Sequence, residues 1–468
     1  MPDLDAVLLA RLQFAFTISF HIVFPAFTIG LAAFVATLEI LWLRTGRDHF
    51  ARLARFWTKI VAVAFAMGVV SGIMRTYQFG TNWSRFSQVV GNVVSPLIGY
   101  EVLTAFFLEA TFLGILLFGW HRFPRWLHVT SAVLVAFGTF LSAFWILAAN
   151  SWMHTPTGHA VENGIVVPVD WWAVIFNPSF PYRLVHMLTA CYLTTSLVVL
   201  AVGARYLVAR KFEEEGRTMM RMGLGMVAIL APLQLVIGDM HGLNTAQHQP
   251  AKIAAMEGHW DSAHAAPLIL FAWPDAANER NRAEIGIPNL ASLIITHDLQ
   301  GRFPGLKDFP RDQRPPVAPV FFAFRIMVGI GVVMIAIGVV GAWLWWRGRL
   351  FETRWYLRPI VHTWPLGFVA ILAGWIVTEV GRQPWLAWGL LRTADAISPV
   401  STDAVAMSFA LIVVTYSVVF SIGVWYINKL MRKGPVQALL DPPAGVPNRP
   451  LSAANEAASK VRGDPALT

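Results

Sequence analysis

Apolar residues run in long, nearly unbroken stretches along this chain, and polar residues gather in the segments between them. A helix needs about 20 such residues to cross ~30 Å of hydrocarbon. Nine stretches are long enough, and they fall near residues 14–42, 57–79, 95–119, 126–149, 184–208, 220–240, 319–346, 359–381 and 404–430. The pattern therefore predicts an all-α polytopic membrane protein with about nine transmembrane helices.

The same pattern divides the chain into four regions. Residues 1–240 would form helices one to six, and residues 319–430 would form helices seven to nine. Between them, residues 241–318 make a polar segment rich in Pro, His and Trp, and connections of this length usually have a function. Residues 431–468, with their Pro, Ala and Ser, predict a disordered tail. The sequence shows no internal repeat, which argues against a transporter built from two related halves.

Composition and charge agree with a membrane protein. Only 13% of the residues are charged and the mean hydropathy is +0.56, whereas a soluble chain carries roughly 25% charged residues. The excess of 36 Lys and Arg over 27 Asp and Glu then indicates positive cytoplasmic loops, not a nucleic acid partner. The single Cys191 excludes intrachain disulfides, thiolate-held iron–sulfur clusters and a CxxCH haem attachment.

The placement of the basic residues predicts the orientation. Alternate connections and the segment after the last span hold 19 Lys and Arg, while the N-terminus and the short connections of opposite parity hold five. The positive-inside rule then places the N-terminus outside and the C-terminus in the cytoplasm. The long segment 241–318 is external, and the rule does not count its seven basic residues, because long segments translocate regardless of charge.

Ionisable residues at membrane depth are functional candidates, because an unpaired charge or imidazole there is costly. On the predicted topology most of them lie in the outer half of the bilayer, which suggests one buried polar layer near the outer surface. These residues are His21, Arg75, Glu101, Glu109, His186, Asp239, Arg325, Glu379 and Arg382.

Two patterns indicate haem chemistry. A His/Met pair fills both axial positions of an electron-transfer haem, whereas one protein ligand leaves a face open for O₂. His186 and Met327 lie at similar depth and fit the first kind of site, and His21 fits the second. The ordinary alternatives are an interhelical hydrogen bond for each histidine and core packing for Met327. No His-His dipeptide is present for a haem–copper centre, and no helix carries two histidines spaced for stacked haems.

Glu101 and Glu109 are spaced to lie about 12 Å apart on one stripe of the third predicted helix. Carboxyls in a low-dielectric setting can carry protons, so the pair suits a proton relay. The alternative is a salt bridge from Glu101 or Glu109 to Arg75. No role is predicted for His121, His128, His154 or His159.

Several runs of this sequence resemble subunit I of cytochrome bd-type quinol oxidases, and the resemblance extends from Arg11 to about Tyr426. GRQPW and FAFRIM are especially specific. The matching runs are RLQFAFTISFHIVFP (11–25), FGTNWS (79–84), EVLTAFFLEATF (101–112), LSAFWILAANSWM (141–153), FAFRIMVG (322–329) and EVGRQPW (379–385).

The resemblance implies roles for individual residues. His186 and Met327 would be the axial pair of a low-spin haem b. His21 and Glu379 would each ligate one of two high-spin haems, a haem b and either a haem d or a further haem b. Glu101, Glu109, Ser142 and Asn150 match residues on the family's proton route. Arg325 and Arg382 would bind haem propionates, and Trp375 would lie near the high-spin haems.

Segment 241–318 corresponds to the family's quinol-binding Q-loop and falls in its short class, which includes cyanide-insensitive oxidases. QPAKIAAMEGHW (249–260) resembles the family's KxxxxE stretch, so Lys252 and Glu257 would contact quinol or relay its protons. The alternative is a solvated charged pair. The GDMHG run (238–242) at the end of the sixth span departs from the more acidic segment of the best-known members, and His241 is a further candidate for the quinol site.

The resemblance implies an enzyme of the bacterial inner membrane. It would oxidise ubiquinol or menaquinol at the outer face and reduce O₂ with cytoplasmic protons, which separates charge without a pump. The family pairs this chain with a homologous membrane subunit II, and in some members with a small single-span subunit. Two other functions stay open: a haem b electron carrier that reduces no oxygen, and a proton-coupled transporter that uses Glu101, Glu109 and Asp239.

Overall fold

A computed structural model describes residues 5–120 and 122–435. Within this part, eight helices are long and apolar enough to cross a membrane, which confirms the polytopic helical fold. The first five spans are formed by α1 (Ala6–Thr45), α2 (Asp48–Thr81), α3 with α4 (Ser84–Glu101 and Phe107–Phe118), α5 (Arg125–His154) and, after the short α6 (Trp171–Ile175), α7 (Phe180–Val208). The others are α8 (Glu213–His248) and, further along the chain, Val317–Trp346 and Thr402–Lys433.

The predicted span 359–381 is shorter than expected. Its apolar helix covers only Leu366–Val380, a rise of about 22 Å that does not cross the hydrocarbon unaided. Two prolines lie at the interruption. Pro359 lies inside the separate short helix Arg354–Ile360, and Pro365 is the N-cap of the apolar helix. Their missing amide hydrogens disfavour one continuous helix there, although α1 and α8 accommodate Pro25 and Pro232. Eight long spans and one shorter helix therefore replace the nine predicted spans among the described residues.

A π-helix interrupts the third span. Residues Val102–Phe106 adopt it between α3 and α4, so Glu101 and Glu109 do not lie on one regular α-helical stripe as predicted. An inserted π turn rotates the residues beyond it relative to those before it, and such insertions are frequent at functional sites.

The segment 241–318, predicted to be an external loop, begins within α8 and contains further helices and strands. Helix α8 continues to His248, and the short helix α9 (Pro250–Glu257) follows almost at once. The remainder contains β4 (Leu268–Asp275) paired antiparallel with β5 (Arg280–Ile287), the helix α10 (Leu290–Thr296), and the two-residue strands β3 (Ala263–His264) and β6 (Arg302–Phe303), which pair with each other. Two other hairpins join β1 (His159–Glu162) to β2 (Ile165–Pro168) and β7 (Trp385–Ala387) to β8 (Leu391–Arg392).

The last four helices are α11 (Val317–Trp346), α12 (Arg354–Ile360), α13 (Leu366–Val380) and α14 (Thr402–Lys433). Of the predicted disordered tail, residues 436–468 lie outside the described part of the chain, whereas 431–433 complete α14.

Helix α1 is the centre of the bundle, in contact with α2, α5, α7 and α14. Its approach to α7 is close, because a Cβ built on Gly30 would lie 2.3 Å from the Oγ1 of Thr195. The largest core cluster, around Leu31, Leu53 and Trp57, packs α1 against α2 away from the outer loop. Where α1, α5, α7, α8, α11 and α13 face one another nearer that loop, the bundle encloses a cavity.

Candidate functional site

The cavity has a volume of about 1490 Å³, larger than the roughly 300–1,000 Å³ of an ordinary small-molecule pocket. Every site residue predicted from the sequence lines it, although these residues come from separate helices and from the loop. They are His21, Glu101, Glu109, Ser142, Asn150, His186, Lys252, Glu257, Arg325, Met327, Trp375, Glu379 and Arg382. The structure thus brings these residues together in one cavity, while their depth in the membrane and their individual roles stay predictions.

The His21 ring is oriented by α2. Its Nδ1 lies 3.0 Å from the Oγ of Ser71, and that hydroxyl lies 2.9 Å from the carbonyl oxygen of Met67. Because the hydroxyl proton is donated to the carbonyl, Ser71 accepts from Nδ1–H. The neutral imidazole then keeps its lone pair on Nε2, the atom that a metal needs. A Cβ on Gly72 would lie 3.2 Å from the Cε1 of His21, so the glycine leaves room for the ring against α2.

His186 and Met327 lie on different walls of the cavity, each beside a glycine of a neighbouring helix. A Cβ on Gly238 would be 3.4 Å from the Cε1 of His186, and one on Gly374 would be 3.0 Å from the Sδ of Met327. The Nδ1 of His186 is buried without a hydrogen-bond partner. The ring of His241 packs edge-on against His186, with centroids 5.3 Å apart, which places this quinol-site candidate beside the predicted haem ligand.

Glu379 is the centre of a buried polar network. It accepts a hydrogen bond from the Nδ2 of Asn150 at 2.9 Å, forms an ion pair with Arg382, and lies 3.7 Å from the Nε2 of His154. Asn150 in turn accepts from Arg183 at 2.6 Å. His154 and Arg183 were not predicted to belong to this site. The sequence could have indicated His154, because it follows the predicted site residue Asn150 by one helical turn and so lies on the same face of α5.

Lys252 and Glu257 on α9 connect the external loop to the cavity. Both are buried, with 4% and 8% of their surface exposed, so the alternative of a solvated charged pair is wrong. The Nζ of Lys252 lies 3.3 Å from the Nδ1 of His154. Burial, and next the positive charge of Arg183, hold the pKa of Lys252 well below its usual value. Glu257 accepts a hydrogen bond from Arg325 at 2.7 Å.

The two glutamates of the third span have different surroundings. Glu101 accepts from the Oγ of Ser142 at 2.8 Å. Glu109 packs against α5 at Gly138, where an added Cβ would lie 2.7 Å from its Cγ, and its Oε1 is buried without a partner. Among the described residues Arg75 forms no ion pair within 4.0 Å with either glutamate, so the salt-bridge alternative is wrong.

The buried cations and the isolated His, Met and Glu donors of the cavity fit haem, an anionic macrocycle that already holds its iron. The cations Arg183, Lys252 and Arg382 are all buried around the single carboxylate of Glu379, and the Nε atoms of both arginines have no partner. Buried charges require compensation, which haem propionates would supply. In the described part of the chain no group of three or more His, Cys, Asp or Glu could hold a free metal ion. Isolated His, Met and Glu donors suit an iron already held by a porphyrin.

Comparison with known proteins agrees with this site. Residues 9–435 match the family model described as cytochrome bd terminal oxidase subunit I. The chain is 34% identical to cytochrome bd-II ubiquinol oxidase subunit 1 of Escherichia coli (strain K12), over 92% of this chain and 97% of that protein. It is 36% identical to cytochrome bd ubiquinol oxidase subunit 1 of Bacillus subtilis (strain 168), over 92% and 94%.

The fold is similar to a solved structure as well. The structure of the bd oxidase from Geobacillus thermodenitrificans matches with a TM-score of 0.85 and 30% identity, over 92% of this chain and all of that chain. The eight apolar spans indicate a multi-pass protein of the bacterial inner membrane. The chain belongs to the family of cytochrome bd terminal oxidase subunit I.

Proposed function

We propose that this chain is the haem-bearing subunit of a terminal oxidase that oxidises quinol at the outer face and reduces O₂ to water with cytoplasmic protons. One observation carries the proposal: one cavity is lined by His21, His186, Met327 and Glu379 together with Lys252 and Glu257 of α9. The chain would act with a homologous membrane subunit II. Its substrate would be ubiquinol, as the names of the relatives suggest, or menaquinol.

The donor atoms support an assignment of the haems. His186 and Met327 would hold a low-spin haem b, and His21 and Glu379 would hold a high-spin haem b and a third haem, d or b. When bound, these groups supply electron transfer from quinol and the reduction of O₂. The chain contributes the buried cations that compensate propionates, the orientation of His21 by Ser71 and the exclusion of water.

The chain's remaining task is to move protons on two sides. Lys252 and Glu257 would accept protons from quinol near the outer surface. Glu101, Glu109 and Ser142 would deliver protons to the oxygen site, because water formation consumes protons inside hydrocarbon. With uptake and release on opposite sides, the reaction generates a proton motive force without a pump.

The decisive experiment is a reduced-minus-oxidised spectrum with haem extraction on the purified complex, together with quinol-driven oxygen uptake. We expect three haems in the complex and oxygen uptake that His21→Ala abolishes. Fewer than three haems, or uptake that survives His21→Ala, would contradict the proposal. A single low-spin haem without uptake would indicate an electron carrier, and a complex without haem would favour a transporter.

The pH dependence of quinol oxidation tests the role of Lys252. Because burial lowers the pKa of this amine, we expect the rate to rise with pH as Lys252 becomes neutral, and to level off well below the ordinary lysine pKa of 10.5. Lys252→Arg, which stays charged at every working pH, should lose this rise. The folded chain binds fewer protons here than the unfolded chain, so this group's contribution to stability should also increase with pH.

Steady-state rates from about pH 5.5 to 9 would check this expectation, with Lys307→Arg on the exposed surface of the loop as the matched control. If Lys252→Arg and the wild type have the same pH profile, Lys252 does not accept the quinol proton.

Ser71 offers a test of how His21 is oriented. Ser71→Ala removes the acceptor for Nδ1–H, so the ring loses its fixed tautomer, and loss of such a partner typically costs about 10–100-fold in metal affinity or activity. Ser71→Thr keeps the hydroxyl and should retain most of both. The spectrum of the high-spin haem and the haem content of each variant measure the effect. Equal haem content and spectra in Ser71→Ala and wild type would show that the hydrogen bond does not orient a ligand.

A further inference from the structure

A buried pair of titratable residues lies outside the cavity, at the opposite end of the bundle from the external loop. Glu39, near the end of α1, and His128, near the start of α5, have their Oε2 and Nδ1 atoms 2.8 Å apart. Their exposed fractions are 0% and 2%. Neither residue lines the cavity described above, and no role was predicted for either.

Each residue of the pair has one polar atom without a hydrogen-bond partner. The Oε1 of Glu39 and the Nε2 of His128 are buried without hydrogen-bond partners. The ring of Trp120 packs on His128 with centroids 4.0 Å apart, and the guanidinium of Arg55 lies 4.5 Å above Trp120. Replacing a buried ion pair by apolar residues of similar volume is often neutral or stabilising, so stability alone does not account for two titratable groups with orphaned atoms here.

The position of the pair connects it to the predicted proton route. Ser131, Thr139 and Ser142 follow His128 on the same side of α5, and the first two are buried. Ser142 donates to Glu101, and Glu109 packs at Gly138. Gly138 lies ten residues, or about 15 Å, along α5 from His128. The pair therefore lies nearer the N-terminal end of α5 than Gly138 and Ser142, the two positions at which α5 contacts Glu109 and Glu101.

The basic residues around the pair indicate that this end of the bundle faces the cytoplasm. Arg55 is the charged group that faces Glu39 from α2, and His128 faces it from α5. Arg125, at the start of α5, lies 4.9 Å above the ring of Trp42. The connections here are the basic ones that the positive-inside rule assigns to the cytoplasm. Water formation must take its protons from that side.

We propose that Glu39 and His128 form the site where cytoplasmic protons enter this subunit on their way to Glu109. The inference rests on the proposed function. In its resting state the pair is a carboxylate beside a neutral imidazole, and it takes up one cytoplasmic proton to give a carboxylic acid beside the neutral imidazole or a carboxylate beside an imidazolium. Transfer of one proton towards Glu109 restores the first state, and no electron moves. The route passes Ser131 and requires water to bridge the ~10 Å from there to Gly138 during turnover.

The test uses the complete oxidase complex with Glu39→Gln and His128→Phe. Glutamine keeps the shape of the glutamate, and phenylalanine keeps a ring against Trp120. Glu214→Gln is the matched control at the same end of the bundle, because the Glu214 side chain is 61% exposed. Three properties are measured: haem content with thermal stability, the rate of haem reduction by quinol without oxygen, and quinol-driven oxygen uptake in H₂O and D₂O.

We expect both variants to keep their haem content, stability and anaerobic haem reduction. Oxygen uptake should fall at least about ten-fold, towards the 10²–10⁴-fold range of positioned proton transfer. The solvent isotope effect should increase, the double variant should be no slower than either single one, and Glu214→Gln should match the wild type.

Three results would overturn the proposal. The first is oxygen uptake within about two-fold of wild type, since removing one positioned proton-transfer group costs far more. The second is a parallel loss of haem or stability, which would identify a structural pair. The third is slowed anaerobic haem reduction, which would place the defect on the quinol side. A wild-type complex that reduces no oxygen with quinol would instead refute the proposed function itself.

Discussion

Replacing Met327 with leucine is expected to remove the low-spin haem signal and to reduce quinol-driven oxygen uptake at least about 100-fold, more than the loss of an outer-shell partner typically costs. Leucine has nearly the volume of methionine, and such exchanges in a core usually cost less than about 1.5 kcal/mol. Packing against α13 at Gly374, where Met327 now lies, should therefore survive. What disappears is the thioether sulfur, the only donor that this side chain can offer an iron.

Met334→Leu on the same helix is the matched control. Met334 is buried in an apolar cluster with Leu193 and Leu197, so its replacement tests the same exchange without a predicted ligand. Spectra, haem extraction and oxygen uptake should distinguish Met327→Leu from Met334→Leu and wild type. If Met327→Leu keeps a normal low-spin spectrum, Met327 is a packing residue and the proposed axial pair is wrong.

The sequence was most informative about the site where an ionisable residue interrupts an apolar run. His21, His186 and Glu379 stand out because an ionisable group in hydrocarbon is costly without a partner. The depth estimate from the predicted span ends was sufficient to place them in one layer, and the cavity is lined by all three. The energetic cost of an ionisable group in hydrocarbon thus identified residues that line the cavity without any knowledge of tertiary contacts.

The missed residues belong to networks that only packing creates. Arg183 is one of the five basic residues that the sequence places at the N-terminus and in the short external connections, but its side chain reaches Asn150 and the cluster around Glu379. His154 joins Lys252 to Glu379 because α5 and α9 meet at its position. Hydropathy along a chain contains no information on which helices meet, so these contacts could not be predicted.

The backbone irregularities were hidden for a related reason. The π-helix at Val102–Phe106 has no distinct composition, since its residues are as apolar and as helix-compatible as their neighbours. The shortening of the predicted span 359–381 was more accessible, because Pro359 and Pro365 interrupt the run. Average hydropathy masked these prolines, although the absence of an amide hydrogen in proline disfavours a continuous helix there.

Replacing Glu379 with glutamine is expected to remove one high-spin haem and to abolish most oxygen uptake. The carboxylate has two possible functions in its network. It compensates the buried Arg382 and Arg183, and it would ligate an iron. Removing one partner of a buried ion pair alone destabilises a protein by about 3–5 kcal/mol, so a loss of activity in the single variant could come from either function.

A double-variant cycle separates the two functions. In Glu379→Gln/Arg382→Gln the buried charges are again more nearly balanced, and the glutamine can still accept from Asn150. If compensation of Arg382 were the only function of Glu379, thermal stability, haem content and oxygen uptake should all recover together. We expect stability to recover while the high-spin haem signal and oxygen uptake stay lost, because a neutral amide is a poor substitute for an anionic iron ligand. Recovery of all three properties would remove Glu379 from the set of haem ligands and leave His21 as the one remaining candidate for a high-spin haem ligand in the described part of this chain.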